Sequence, residues 1–222
     1  MIHPTEPEWT LHWLEAEGGL GPWRRRIAAE VEATKAIVSR LVAPPRLDIL
    51  IQRIPGWVIP EIGMVGHSYR PSLFSLTLDP DNLNFIRSLG DGNLRRQVAH
   101  EVHHCLRSAR LGYGRSLGDA LVSEGLAGHF VTRLFATPPE PWEQAVEPAV
   151  ARRLFPDIVA LASPEYDHNA WFFGAGGKYP RWLGYTLGYM TVGRWLQTMP
   201  AVDGNTLVSV PATDVLSAWN GS

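Results

Sequence analysis

His100-Glu101-Val102-His103-His104 carries the pattern His-Glu-x-x-His, and the reading of the whole chain turns on it. On a helix, positions i and i+4 stand about 40° apart on one face. His100 and His104 can therefore present two imidazoles to one metal ion. Glu101 projects beside them, placed to take a proton from a water that the metal activates. The flanking residues put the motif at the edge of a core. Leu94, Val98, Val102, Cys105 and Leu106 form one apolar stripe. His104 and then His100 follow on its flank, with Glu101 between the stripe and the pair. His103 falls further round, on the more polar side. It reads as a supporting or surface residue, or as a competing ligand through an i,i+3 pair with His100. Cys105 lies within the stripe and reads as a buried, inert thiol rather than a ligand. Without a metal, the same pattern is a polar helix face with satisfied histidines.

A catalytic zinc usually has three protein ligands and one open position. The next helical pattern supplies a third. Ser116-Leu117-Gly118-Asp119 resembles a capping box and starts a helix near Leu117. The apolar stripe of that helix is Leu117, Ala120, Leu121, Ala127, Val131 and Phe135, and Glu124 sits in its middle. A buried carboxylate is costly unless it is paired or bound to metal. An arginine partner is one solution and a metal is the other. Given His100 and His104 upstream, a ligand role is favoured. Gly125 and Gly128 cost the helix about 1 kcal/mol each against alanine. They are easier to explain if backbone approaches a neighbour closely.

Three segments then carry a resemblance. Leu76-Thr77-Leu78-Asp79-Pro80 precedes His-Glu-Val-His-His, Leu121-Val122-Ser123-Glu124-Gly125-Leu126-Ala127 follows it, and Trp182-Leu183-Gly184-Tyr185-Thr186-Leu187-Gly188-Tyr189 comes later. His-Glu-Val-His-His followed on the next helix by Glu124-Gly125-Leu126-Ala127 resembles the gluzincin metallopeptidases. All three segments are similar to a bacterial family of predicted zinc-dependent proteases, domain of unknown function 2268. The matching segments span about residues 60–198, and the first 45 residues and the last 20 carry no matching motif. It implies a zincin-like fold, with an edge strand beside a two-helix zinc site, and it names no substrate.

A hydrolase of this kind needs a donor to the oxyanion that forms as water attacks a carbonyl. Tyr185 and Tyr189 lie i,i+4 on a stripe with Trp182, Val192 and Leu196. Either they are core tyrosines or one of them is that donor. Tyr185 ranks first because it is nearer the loop of Gly174, Gly176 and Gly177. Gly184 and Gly188 form a small-residue face suited to close helix packing. His67, in Gly66-His67-Ser68-Tyr69-Arg70, sits on an expected strand and reads as solvent-facing or hydrogen-bonded. His168, near Trp171-Phe172-Phe173, reads either as part of a cleft-lining loop or as a surface residue. His129 lies about 140° off the Glu124 face on a helical wheel, and His3 and His12 fall outside the similarity. The nine tryptophans suggest a heavy core, and Trp171 and Trp182 are suited to line an apolar pocket.

Around these motifs, the chain of 222 residues can bury a large core without disulfides. Apolar residues are 45% and charged residues 19%, which excludes disorder. A net charge of −2 excludes the basic excess of a nucleic-acid binder, and the one basic run, Arg24–Arg26, reads as a solvated helix face. The single cysteine excludes an internal disulfide framework and a cysteine zinc finger. No run of eighteen apolar residues exists, so no membrane span is expected. Met1–Trp9 lacks the pattern of a signal peptide. A soluble, cytoplasmic protein follows, with no nucleic acid or membrane partner.

Pro22 starts a helix over 22–42, with Ile27, Val31, Val38 and Leu41 at helical spacing and Thr34 the polar member of the row. Strands are expected over 47–53, 64–69 and 73–78. Helices are expected over 93–109, 117–135, 142–162, 181–198 and 211–219. Segregated strands and helices indicate an α+β class, mostly helical with a small antiparallel or mixed sheet. One zincin-like domain over 1–222 is expected. It comprises an N-terminal helical segment (1–45), a small sheet (46–80) and a helical body with the zinc site (81–222). The function expected is a Zn2+-dependent peptidase acting on a peptide or protein substrate, with a glutamate general base. A non-enzymatic zinc-stabilised binding or regulatory domain, and a hydrolase of a small non-peptide amide, are the alternatives.

Overall fold

The computed structural model describes residues 8–112 and 114–219, so His3 lies outside the described residues. The class is α+β, and the chain forms two compact units, one ending at Ala109 and one starting at Arg110. No helix among the described residues is long and apolar enough to cross a membrane.

The first unit is built on a mixed sheet. Its elements are β1 (Trp9–Leu14), α1 (Gly21–Val38), β2 (Leu47–Arg53), β3 (Met64–Arg70), β4 (Leu73–Leu78), α2 (Phe85–Gly90) and α3 (Asn93–Leu111), which runs into the unit boundary. The strand order is β1-β2-β4-β3. β1 pairs parallel with β2, and β2 parallel with β4, whereas β3 pairs antiparallel with β4. β1 was not anticipated, and it makes the start of the chain a β1-α1-β2 crossover rather than a purely helical segment. Parallel neighbours need such a crossover, and a helix supplies it. The two inner strands read as expected. Ile49 and Ile51 of β2 and Phe74, Leu76 and Leu78 of β4 are fully buried. On α1, Ile27, Val31, Thr34 and Val38 are the buried row. Thr34 Oγ1 donates to the Glu30 carbonyl at 2.8 Å, which removes the cost of burying its hydroxyl.

The second unit is helical. It holds α4 (Leu117–Phe135), a 3-10 turn at Pro141–Gln144, α5 (Pro148–Arg153), α6 (Ile158–Ala162), α7 (His168–Phe173), α8 (Leu183–Thr198), α9 (Gly204–Ser209) and α10 (Ala212–Ser217). α4 starts where its capping box implied. Ser116 Oγ accepts from Asp119 N at 3.1 Å, and Asp119 Oδ2 accepts from Ser116 N at 3.1 Å. The single helix expected over 142–162 is instead the 3-10 turn, α5 and α6. Pro148 can only open a helix, and Pro156 cannot continue one. The core of this unit gathers Leu117 and Leu121 of α4, Phe172 of α7, and Leu183 and Leu187 of α8.

α4 and α8 meet backbone to backbone. A Cβ on Gly125 would lie 2.1 Å from the Gly188 carbonyl oxygen, and one on Gly188 would lie 2.2 Å from the Leu121 carbonyl oxygen. The same comparison places the Phe172 ring 2.6 Å from a Cβ on Gly184. These glycines therefore serve packing, as their spacing indicated. Gly125→Ala is expected to lower stability by about 1–3 kcal/mol through overpacking. Gly21→Ala, with nothing within 4 Å of its Cβ, is the control and should be neutral or slightly stabilising. Thermal melts of the two variants check this; equal melting temperatures would contradict it.

Candidate metal centre

α3 brings the two motif histidines together. His100 Nε2 and His104 Nε2 stand 3.0 Å apart, with the rings at 76°. Two nitrogens bound tetrahedrally at about 2.0–2.1 Å from zinc stand roughly 3.3 Å from each other. The observed spacing therefore suits two imidazoles on one zinc ion. His104 is buried, His100 is half-buried, and Glu101 is only 5% exposed. The apolar stripe is where the helical wheel put it: Leu94, Val98, Val102 and Cys105 are fully buried. His103 differs from its reading as a surface residue, since it too is fully buried.

The edge strand β3 lies along one row of α3. Gly66 N donates to Gln97 Oε1 at 3.3 Å. Ser68 Oγ meets Cys105 Sγ at 3.4 Å, and Cys105 Sγ donates to the Arg70 carbonyl at 3.5 Å. Between these two anchors, the side chain of Glu101 rests on the strand. A Cβ on Gly66 would stand 2.4 Å from Glu101 Cγ and from Glu101 Oε1. Sequence reasoning missed this approach, although a glycine inside a strand pattern is a signal for it. His67, on the alternate face of β3, is exposed and packs edge-to-face on Tyr69 at 4.6 Å. Burial pushes the Cys105 thiol up to about 11, so it stays protonated and inert.

Glu124 lies on α4 in the second unit and is half-buried rather than enclosed by its apolar stripe. Tyr166 titrates above the usual tyrosine range because it is buried, and the Glu124 and Asp119 carboxylates add to the effect. Tyr166 lines a cleft of about 430 Å³ with Leu117, Ala170, Trp171 and Tyr179. Trp171 stacks on Tyr179 at 4.0 Å. Trp182 is not among the cleft's lining residues. It packs near Tyr185 at 5.6 Å, and Tyr185 stands edge-on to Phe172 at 5.0 Å. Tyr189 is engaged in helix packing: its ring stacks on His129 at 3.9 Å, and its hydroxyl meets Thr132 Oγ1 at 3.3 Å. His168 is exposed and stacks on Phe172 at 4.3 Å, while His12 meets Asp48 at 2.6 Å across β1 and β2.

The chain belongs to the family described as predicted Zn-dependent protease (DUF2268), whose model matches residues 49–217. That stretch runs from β2 to the end of α10 and contains every residue discussed above for zinc and catalysis. β1 and α1 fall outside it. No curated protein and no solved structure matches the chain.

His129 donates from Nε2 to the Tyr189 carbonyl at 2.9 Å, and burial lowers its pKa below the ordinary 6.5. The unfolded chain therefore takes this proton more readily than the folded one. The stability tied to His129 is present above pH 6.5 and is lost as pH falls from there toward the folded value. Melting temperatures of wild type and His129→Phe between about pH 8 and pH 5 read this. The wild type should lose more stability toward acid. Parallel pH dependences would contradict the assignment.

Proposed function

We propose that the protein is a zinc peptidase of zincin-like fold in which His100, His104 and Glu124 hold one zinc ion. The observation that carries this reading is the 3.0 Å approach of two imidazole nitrogens on a helix that also presents the buried Glu101. Two imidazoles and a carboxylate are a donor set whose chemistry suits zinc with one position left open. A structural zinc usually closes with four ligands, so a three-ligand set favours catalysis over a zinc-stabilised binding domain. Membership of a predicted Zn-dependent protease family supports a peptide or protein substrate.

Zinc, when bound, supplies Lewis acidity and makes water a stronger acid. Glu101 is the general base. It takes the proton of the attacking water and returns it to the leaving amine. Its burial beside β3 limits the orientations its carboxylate can adopt. Tyr185 donates to the oxyanion. It is preferred to Tyr189 because it lies nearer in sequence to the loop of Gly174, Gly176 and Gly177. The aromatic wall of Phe172 and Trp182 around Tyr185 is the partly apolar setting in which such a donor is strongest.

Zinc content by mass spectrometry, combined with cleavage of a peptide library, tests the proposal. Wild type and Glu101→Gln should both carry about one zinc per chain, and the variant should cleave about 10²–10⁴-fold more slowly. Glu124→Ala should lose zinc while remaining folded. Tyr185→Phe should keep zinc and lose about 2.7–4 kcal/mol of transition-state stabilisation. A zinc-loaded wild type that cleaves no peptide, or a Glu101→Gln variant at the wild-type rate, would overturn the peptidase reading.

A further inference from the structure

We propose that Gly66 is a positioning residue, and that the bare backbone of β3 at Gly66 sets where the carboxyl group of Glu101 sits. The proposal rests on the reading of Glu101 as the general base. It assigns the placement of that base to a residue on a different element.

Gly66 is not required by backbone geometry. Its φ lies outside the left-handed region, so any residue can adopt its conformation. Glycine in the middle of a strand weakens it, because it adds backbone entropy to the unfolded chain and leaves no side chain to pack. What Gly66 contributes is the missing Cβ. The three atoms nearest to that Cβ position all belong to Glu101: Cγ and Oε1 at 2.4 Å and Cδ at 2.6 Å. The carboxyl group itself is therefore in contact with the strand, and no real Cβ fits at those distances.

Neither partner is free to retreat. β3 is tied to α3 on both sides of the contact, by Gln97 at Gly66 and by Cys105 at Ser68 and Arg70. It is also paired with β4, with Gly66 opposite Leu76. Glu101 sits mid-way along α3 and is only 5% exposed, so its backbone cannot yield. The softest coordinate is the Glu101 side chain. A methyl group on residue 66 would rotate the carboxyl group away from its position. General bases act over hydrogen-bond distances of about 2.6–3.2 Å. A displacement of about 1 Å costs on the order of 10²-fold in rate.

Four proteins test the proposal: wild type, Gly66→Ala, Glu101→Ala and the double variant. The first readout is thermal stability, which does not depend on any substrate. Gly66→Ala should melt several degrees below wild type. In the Glu101→Ala background the same change should cost nothing, because the colliding side chain is gone. If Gly66→Ala does not fold, recovery of a folded double variant supports the proposal equally. The second readout is kinetic. Gly66→Ala should keep its zinc and lose on the order of 10²-fold in kcat with KM little changed. An equal loss of melting temperature in both backgrounds would overturn the proposal. So would a double variant that fails to fold, or wild-type kcat in Gly66→Ala. Should the wild type cleave no peptide, the peptidase reading falls, and the thermal comparison still decides whether Gly66 places Glu101.

Discussion

An α-helix rises about 6 Å over four residues, and a β-strand advances about 6.6 Å over two. That near-match lets β3 dock along one row of α3. Gln97, Glu101 and Cys105 follow one another at i,i+4, and Gly66, Ser68 and Arg70 follow one another at i,i+2. Gln97 and Cys105 each hold the strand through a hydrogen bond. Glu101, between them, finds the strand without a side chain. The rest of the first unit supports this docking. β3 is an edge strand paired on one side with β4, in regular register from Met64 to Ser68 and with a shift between Ser68 and Arg70. The apolar stripe of α3 buries the helix and leaves His100 and His104 on the flank with their nitrogens converging.

A different constraint shapes the second unit. α4 and α8 approach until backbone meets backbone at Gly125 and Gly188. Gly128 likewise leaves space for the buried carboxylate of Glu143, since a Cβ there would lie 2.1 Å from Glu143 Oε1. Helix formation loses stability at each glycine, and the burial of Leu121, Leu187 and their neighbours offsets it. Glu124 is carried on a helix that is fixed by its capping box at one end and by this contact in its middle. Tyr185 and Tyr189 are carried on the partner helix. The difference between the two tyrosines follows from packing. Tyr189 faces His129 and Thr132 of α4, whereas Tyr185 faces the aromatic group of Phe172, Phe173 and Trp182.

Most of this was legible wherever periodicity and a local cap agree. The inner strands 47–53 and 73–78 and the helix 117–135 have the bounds that their patterns implied. The α3 stripe is buried as the wheel placed it. β1 was overlooked although Trp9-Thr10-Leu11-His12-Trp13 alternates apolar and polar residues, and only Trp9 of that row is buried. The run 142–162 was misread because apolar spacing was allowed to continue through Pro148 and Pro156. His103 was misplaced because a wheel assumes one buried face, and α3 is buried on all sides from Glu101 to Ser108. In the candidate site, the His100–His104 pair needed only helical geometry and could be read directly. A glycine inside the β3 pattern signals a close approach, but the partner, Glu101, lies 35 positions away on another element, and no local pattern names it.

The central claim is that this chain holds zinc through two histidines of one helix, with neither the buried thiol nor a third imidazole as a ligand. Zinc X-ray absorption of the loaded protein tests it most directly. The account predicts a shell of nitrogen and oxygen at about 2.0–2.2 Å with the outer scattering of two imidazoles. A sulfur shell at about 2.3 Å would implicate Cys105 and contradict the account. Outer scattering from three imidazoles would contradict it as well, because it would bring His103 into the site.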